Sequence, residues 1–288
     1  MKRKTANDYE MNVETVEPVK LDDDFQLNDD QIEQFREQGF LSIEQVSTQE
    51  DVAFVRELYD QLFESRSGWD EGNQFDLGGV DEEGKPPSLP QILNPAKYEP
   101  RLKESLILKN ITTIAKQLLG PEVKTSIGHA IFKPAGHGSE TPWHQDASYW
   151  APNMIHGNLS FWVPLQPATL DNGCMHFVPN SHTYDVVEHQ AINNDPRIHG
   201  LEVFPPLMGR YIKEVKACPL PPGGCTIHNG YTFHYAPPNR SDIPRRALIF
   251  GGSVPGEERK LPRRFPWLEE RQTLREQRAE EAGVGGQA

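Results

Sequence analysis

A chain of 288 residues with 36% hydrophobic positions can bury one sizeable barrel-like core or two smaller ones. Its 29 basic against 42 acidic residues leave a formal net charge of −13, the wrong sign for a general nucleic-acid binder. No apolar run approaches the roughly 18 residues of a membrane helix, and no apolar segment follows Met1-Lys2-Arg3-Lys4-Thr5, so neither a membrane span nor a secretory leader is expected.

Residues 1–26 read as a flexible arm with an acidic cluster at Asp22-Asp23-Asp24. Asn28 is a good N-cap with Gln31 three residues on, the spacing of a capping box, and Gly39 suits the helix end before the strand-like Phe40-Leu41-Ser42-Ile43. A second helix is predicted after Thr48, burying Val52, Val55, Leu58, Tyr59 and Leu62. Residues 65–100, rich in Gly, Pro and Asp, read as a long loop of the kind that forms lids or binding loops. A third helix is expected over 105–119, closed by Gly120-Pro121.

Beyond Val123 short apolar runs (127–132, 159–165, 175–178, 225–227 and 247–250) alternate with turn residues. Helices first and many short strands afterwards predict a mainly β protein with flanking helices, a barrel or jelly roll. One domain over 27–255 is expected, followed by a charged tail over 256–288 in which 268–282 reads as a solvated helix. Three cysteines without a CxxC pair suit a reducing cytoplasm.

The spacing of the histidines points to a metal. In His144-Gln145-Asp146 an extended backbone brings an imidazole and a carboxylate to one side, among Trp143, Tyr149 and Trp150. The segment Gly223–His234 has a glycine turn, a short strand and an Asn229-Gly230 turn, a hairpin pattern that ends on a further imidazole. Two histidines and one carboxylate make the facial set used by non-haem Fe(II) oxygenases. The same three could hold Zn or Mn in a hydrolase or isomerase, or sit in a non-catalytic binding module. Arg245, opening an apolar strand, is costly to bury unless its fork meets an anion.

Taken together, Trp143–Asp146, Asp171–His182 and the run from Gly224 to Leu248 resemble the phytanoyl-CoA dioxygenase family of Fe(II)/2-oxoglutarate-dependent oxygenases. The resemblance covers about residues 28–252 and implies a double-stranded β-helix, a cupin-like jelly roll. It implies that His144, Asp146 and His234 hold Fe(II), and that Arg245, eleven residues after His234, holds the distal carboxylate of 2-oxoglutarate. Lys133 matches a family lysine near this cosubstrate, and Trp150 an aromatic lining its pocket. O₂ is the other cosubstrate, and the implied reaction hydroxylates a C–H of a small organic molecule, with desaturation, epoxidation or ring closure left open. A carboxylate at 146 disfavours halogenation. Several family members carry a cosubstrate-binding serine two residues after the second histidine, where this chain has Ala236. The last residues, Gly286-Gln287-Ala288, are not a peroxisomal tripeptide, which relates the chain to the wider family.

Other positions are read from their neighbours. His129 is expected to face the barrel interior with Ile127, Ile131 and Lys133, as core or as a substrate contact. Trp162 and Gln91, with Asn94 beside it, are candidate substrate contacts. His228 could support the metal ligands, and Arg246 should point away from Arg245. His137, His156, His176, His182, His189 and His199 read as loop or surface residues. Composition leaves oligomeric state open.

Overall fold

A computed structural model describes residues 11–82 and 84–284. In chain order the strands are β1 (Asn12–Thr15), β2 (Phe40–Ile43), β3 (Gln74–Asp76), β4 (Pro90–Leu93), β5 (Lys124–Lys133), β6 (Thr141–His144), β7 (Met154–Pro164), β8 (Met175–Phe177), β9 (His189–Ala191), β10 (Leu201–Val203), β11 (Glu214–Cys218), β12 (Cys225–Asn229), β13 (His234–Ala236) and β14 (Arg245–Glu258). The helices are α1 (Asp29–Gln38), α2 (Gln49–Glu64), α3 (Leu106–Leu119), α4 (Pro205–Tyr211), α5 (Pro266–Glu269) and α6 (Leu274–Glu281).

Seven strands in the order β2-β12-β7-β14-β5-β4-β3 form one sheet, and five in the order β1-β11-β8-β13-β6 form the other. The two faces of the larger sheet separate cleanly. Ala130, Phe161, Val163, Ile227, Leu248 and Phe250 pack under α2 and α3 with Val55, Leu58, Ile111 and Ile114. On the opposite face Phe40, Trp162 and Ala247 meet Met175, Phe177 and Ala236 of the smaller sheet. The architecture is the expected mainly β jelly roll with flanking helices.

The first helices follow their local signals. Asn28 and Gln31 exchange both capping-box bonds, and Gly39 closes α1 in the left-handed region at φ 78°. Thr48 caps α2, whose buried residues are the five at helical spacing.

Elsewhere tertiary pairing overrides the local reading. The expected arm over 1–26 is partly a strand, since β1 pairs in parallel with β11 from Asn12↔Glu214 to Thr15↔Ala217. Its first ten residues lie outside the described ones. The expected loop over 65–100 carries β3 and β4, which extend the large sheet beside β5. Its turn is tied by the Asp76 carboxylate, which accepts from the Ser88 and Leu89 amides at 2.9 Å each. The boundary expected at 256 falls inside β14, whose Glu257 and Glu258 still pair with β7. The tail beyond is two short helices rather than one solvated helix. Thr273 caps the second, Arg275 donates to the Gly72 carbonyl at 2.7 Å, and Arg278 pairs with Asp81.

The segment Gly223–His234 is likewise not a hairpin. Both edges of β12 are occupied, by β2 and β7. The chain leaving Asn229-Gly230 therefore crosses to the smaller sheet, where β13 pairs with β6 and β8. That crossing places His234 opposite His144.

Candidate active site

His144 ends β6, Gln145 is extended at φ −117°, and Asp146 opens a 3-10 turn running to Tyr149. His234 lies across the ladder from His144, with their rings 4.1 Å apart. His144 Nε2 and His234 Nε2 stand 3.6 and 3.4 Å from Asp146 Oδ1. The ligand atoms of these three residues lie within 4.8 Å of one another.

Hydrogen bonds behind the triad set which atoms face forward. His144 Nδ1–H donates to the Pro142 carbonyl at 2.7 Å, and His234 Nδ1–H donates to the Thr232 carbonyl at 2.9 Å. Each Nε2 is left as a lone-pair donor toward a metal. Asp146 Oδ2 is held by Ser160 Oγ–H at 2.6 Å and His228 Nε2–H at 3.1 Å, which frees Oδ1. Burial alone would raise the Asp146 carboxyl; the imidazoles of His234, His144 and His228 outweigh it and hold it well below the usual carboxylate range. Burial, then the neighbouring His234, lowers His144, keeping it in the neutral form that ligates metals.

The link between His144 and Asp146 is also fastened. The fully buried Gln145 donates from Nε2 to the Tyr231 carbonyl at 2.8 Å and accepts from the Val187 amide at 2.9 Å. Its own amide donates to His189 Nε2 at 3.2 Å, and His189 Nδ1–H donates to the Val187 carbonyl at 2.8 Å. Burial pushes His189 down to about 3, so this pillar is neutral. His189 and His176, expected in loops or at the surface, are both buried and lie on strands.

A second polar group lies on the same interior face. Arg245 is 1% exposed, and its Nε and Nη1 have no hydrogen-bond partner among the described residues. Its guanidinium carbon stands 5.2 Å from the Trp162 ring centre. Directly across the β14–β5 ladder is the fully buried Lys133. The Lys133 ammonium donates to the Ala236 and Pro237 carbonyls at 2.9 and 2.7 Å, so it ties down the end of the strand carrying His234. Burial, then the adjacent Arg245, pushes it well below the usual lysine range. Two buried basic side chains side by side, one with unpartnered donors, could hold an anion. Arg246 points the other way, to Asp60 on α2 at 2.5 Å.

Register places the two groups along one interior face of the barrel. Ser160 and His228 are paired, as are Trp162 and Thr226 two residues along. That step is roughly 7 Å. From Trp162 the side chain of Arg245 is reached at the far end. The buried Thr226 hydroxyl between them has no partner among the described residues.

The remaining candidates scatter around this face. His129 does face the interior, but Ile127 does not. The ladder shifts between Ile249↔His129 and Phe250↔Ile127, and this bulge at Gly128 turns Ile127 to the helix side. Gln91 is buried opposite Ile131 on the interior face. Trp162 belongs beside Arg245. Trp150 packs in a different cluster, 5.1 Å from His156 and over Gly230, where a Cβ would come within 2.2 Å of its ring. No motif marks Ser160, and only its place two residues before Trp162 on one strand puts it on the same face.

With this geometry in hand, comparison with known proteins decides the family. The phytanoyl-CoA dioxygenase (PhyH) profile matches residues 35–247. The chain belongs to this family. It is 26% identical to phytanoyl-CoA dioxygenase domain-containing protein 1 of Danio rerio, over 78% of this chain and 89% of that one. It is 24% identical to a probable alpha-ketoglutarate-dependent hypophosphite dioxygenase of Stutzerimonas stutzeri, over 77% of each. Among solved structures, EvdO2 from Micromonospora carbonacea var. aurantiaca complexed with 2-oxoglutarate superposes with a TM-score of 0.69 at 34% identity, covering 84% of this chain and 96% of that one. The protein is an oxidoreductase of the Fe(II)/2-oxoglutarate-dependent dioxygenase class. No described helix is long and apolar enough to cross a membrane.

Proposed function

We propose that the protein hydroxylates a C–H of a small organic molecule, with His144, Asp146 and His234 holding Fe(II) and Arg245 holding the distal carboxylate of 2-oxoglutarate. When bound, Fe(II) couples oxidative decarboxylation of 2-oxoglutarate to succinate and CO₂ with delivery of the second oxygen atom of O₂ to the substrate. The residues present fit both groups. Two Nε2 atoms and one Oδ1 converge, and three protein ligands leave positions open for a chelating 2-oxo acid and O₂.

The unpartnered, fully buried guanidinium of Arg245 carries the reading. A hydrolase or isomerase that only activates water has no use for a buried, unpartnered fork along the same interior face. Lys133 adds positive charge beside it while keeping two of its three donors on backbone carbonyls. Thr226, between metal and arginine, supplies the hydroxyl that Ala236 lacks. Ser160 and His228 fix the Asp146 carboxylate so that one oxygen faces the metal. Three free, buried cysteines fit work in a reducing cytoplasm.

Anaerobic titration of the purified protein with Fe(II) and then 2-oxoglutarate tests this. A weak visible charge-transfer band that grows with 2-oxoglutarate is expected. Bound iron without such a band would defeat the proposal.

A further inference from the structure

The charged tail brings the half-buried Arg271 to the far side of the metal site. Arg271 lies between α5 and α6, and its Nε and Nη2 are buried without a hydrogen-bond partner among the described residues. The other tail arginines are engaged: Arg259 and Arg263 with Asp185, Arg264 with Glu269, Arg275 with the Gly72 carbonyl and Arg278 with Asp81. The Arg271 guanidinium carbon sits 5.4 Å from the centre of the Tyr149 ring. Tyr149 in turn stacks on His199 with ring centres 6.1 Å apart, and meets metal-ligand candidate His144 edge-on at 6.1 Å.

Two more buried nitrogens share this condition. His199 Nδ1 and His129 Nδ1 have no hydrogen-bond partner among the described residues. Burial lowers both; the Asp146 carboxylate opposes it at His129, Arg275 adds to it at each and Arg271 adds to it at His199, and a neutral imidazole can donate one N–H. The nearby carboxylates are committed elsewhere: Asp81 to Arg278, and Glu276 to the Thr273 cap.

A buried guanidinium fork, flanked by imidazole donors and walled by Tyr149, is built for an oxyanion. We propose that Arg271, His129 and His199 bind a carboxylate or phosphate group on the primary substrate, so that the attached skeleton runs along Tyr149 toward His144. This rests on the reading of the metal and cosubstrate sites given above. It assigns the tail a recognition role and makes the substrate an organic anion.

The test uses protein reconstituted anaerobically with Fe(II) and saturating 2-oxoglutarate, so that Arg245 is occupied. Melting temperature is followed against acetate, benzoate and phenylphosphonate, with benzamide as the neutral counterpart of benzoate. At least one anion should raise the melting temperature saturably while benzamide does not, and the anion that succeeds separates carboxylate from phosphate recognition. In Arg271→Gln the half-saturating concentration should rise tenfold or more, with Arg271→Lys between the two. The stabilisation produced by 2-oxoglutarate itself should survive in Arg271→Gln. His199→Phe, which keeps an aromatic ring and removes the N–H donor, should weaken the same anion if Arg271→Gln does not fold. No anion effect in the parent protein, or equal affinity in the Arg271 and His199 variants, overturns the proposal. Failure of the cosubstrate reading would show separately, as no response of the parent protein to 2-oxoglutarate.

Discussion

Replacing Arg245 by Met should have opposite effects on the cosubstrate-bound and cosubstrate-free protein. A carboxylate accepts from two neighbouring N–H groups of a guanidinium, and Arg245 holds buried donors without a partner among the described residues. Each charge-assisted hydrogen bond to a carboxylate is worth about 1.5–3 kcal/mol. Loss of both is then about 3–6 kcal/mol, which at about 1.4 kcal/mol per decade is a hundredfold to ten-thousandfold loss of 2-oxoglutarate affinity. Without the cosubstrate the sign reverses. Burial already pushes the Arg245 guanidinium down to about 10, and Lys133 is a second buried cation beside it. Exchange of such an uncompensated charge for an apolar side chain of similar length should stabilise by about 1–4 kcal/mol. The assay pairs a 2-oxoglutarate titration of the Fe(II)-loaded protein, read by its visible band, with thermal melting of the metal-free protein. A change in affinity below about threefold, or a lower melting temperature for the metal-free variant, would refute the reasoning.

Three further outcomes follow from the same geometry. His144→Ala or Asp146→Ala should abolish Fe(II) binding and turnover while leaving the far-ultraviolet spectrum unchanged; stoichiometric iron in either variant contradicts that assignment. Ser160→Ala and His228→Gln each release one hold on Asp146 Oδ2, and should weaken Fe(II) about 10–100-fold in a competition titration, the range for outer-shell partners. Acid should destabilise the metal-free chain early. His189 is depressed from 6.5 to about 3 by burial, so as pH falls below 6.5 protons bind the unfolded chain first; its contribution is complete above 6.5 and lost progressively toward 3. His129, His144, His176 and His199 are lowered too and act in the same sense. Melting temperatures that stay flat between pH 6.5 and about 5, above the carboxylate range, would contradict this.

What the sequence determined by itself was whatever short-range chemistry specifies. The Asn28–Gln31 box, the Gly39 stop and the apolar spacing of α2 are local devices, and each formed where its residues stand. His144 and Asp146 converge because two residues of near-extended chain leave them little choice, and the order of motifs along the chain was enough to identify the family. The jelly roll followed from many short apolar runs placed after helices.

Only the tertiary structure decided the rest, because it depends on which edge is free and which charge is matched. Asn229-Gly230 looked like a hairpin turn, but β12 had no open edge, so the chain crossed sheets and brought His234 to His144. A bulge at Gly128 inverted the face of Ile127 while leaving His129 inside. The strand at Asn12–Thr15 and the pair β3–β4 are too short to announce themselves, and exist because a neighbouring strand offers its edge. Six arginines of the tail look alike in sequence. Packing matched five of them with carboxylates or carbonyls and left Arg271 facing inward, since a charge finds or lacks its partner only when the whole chain has folded around it.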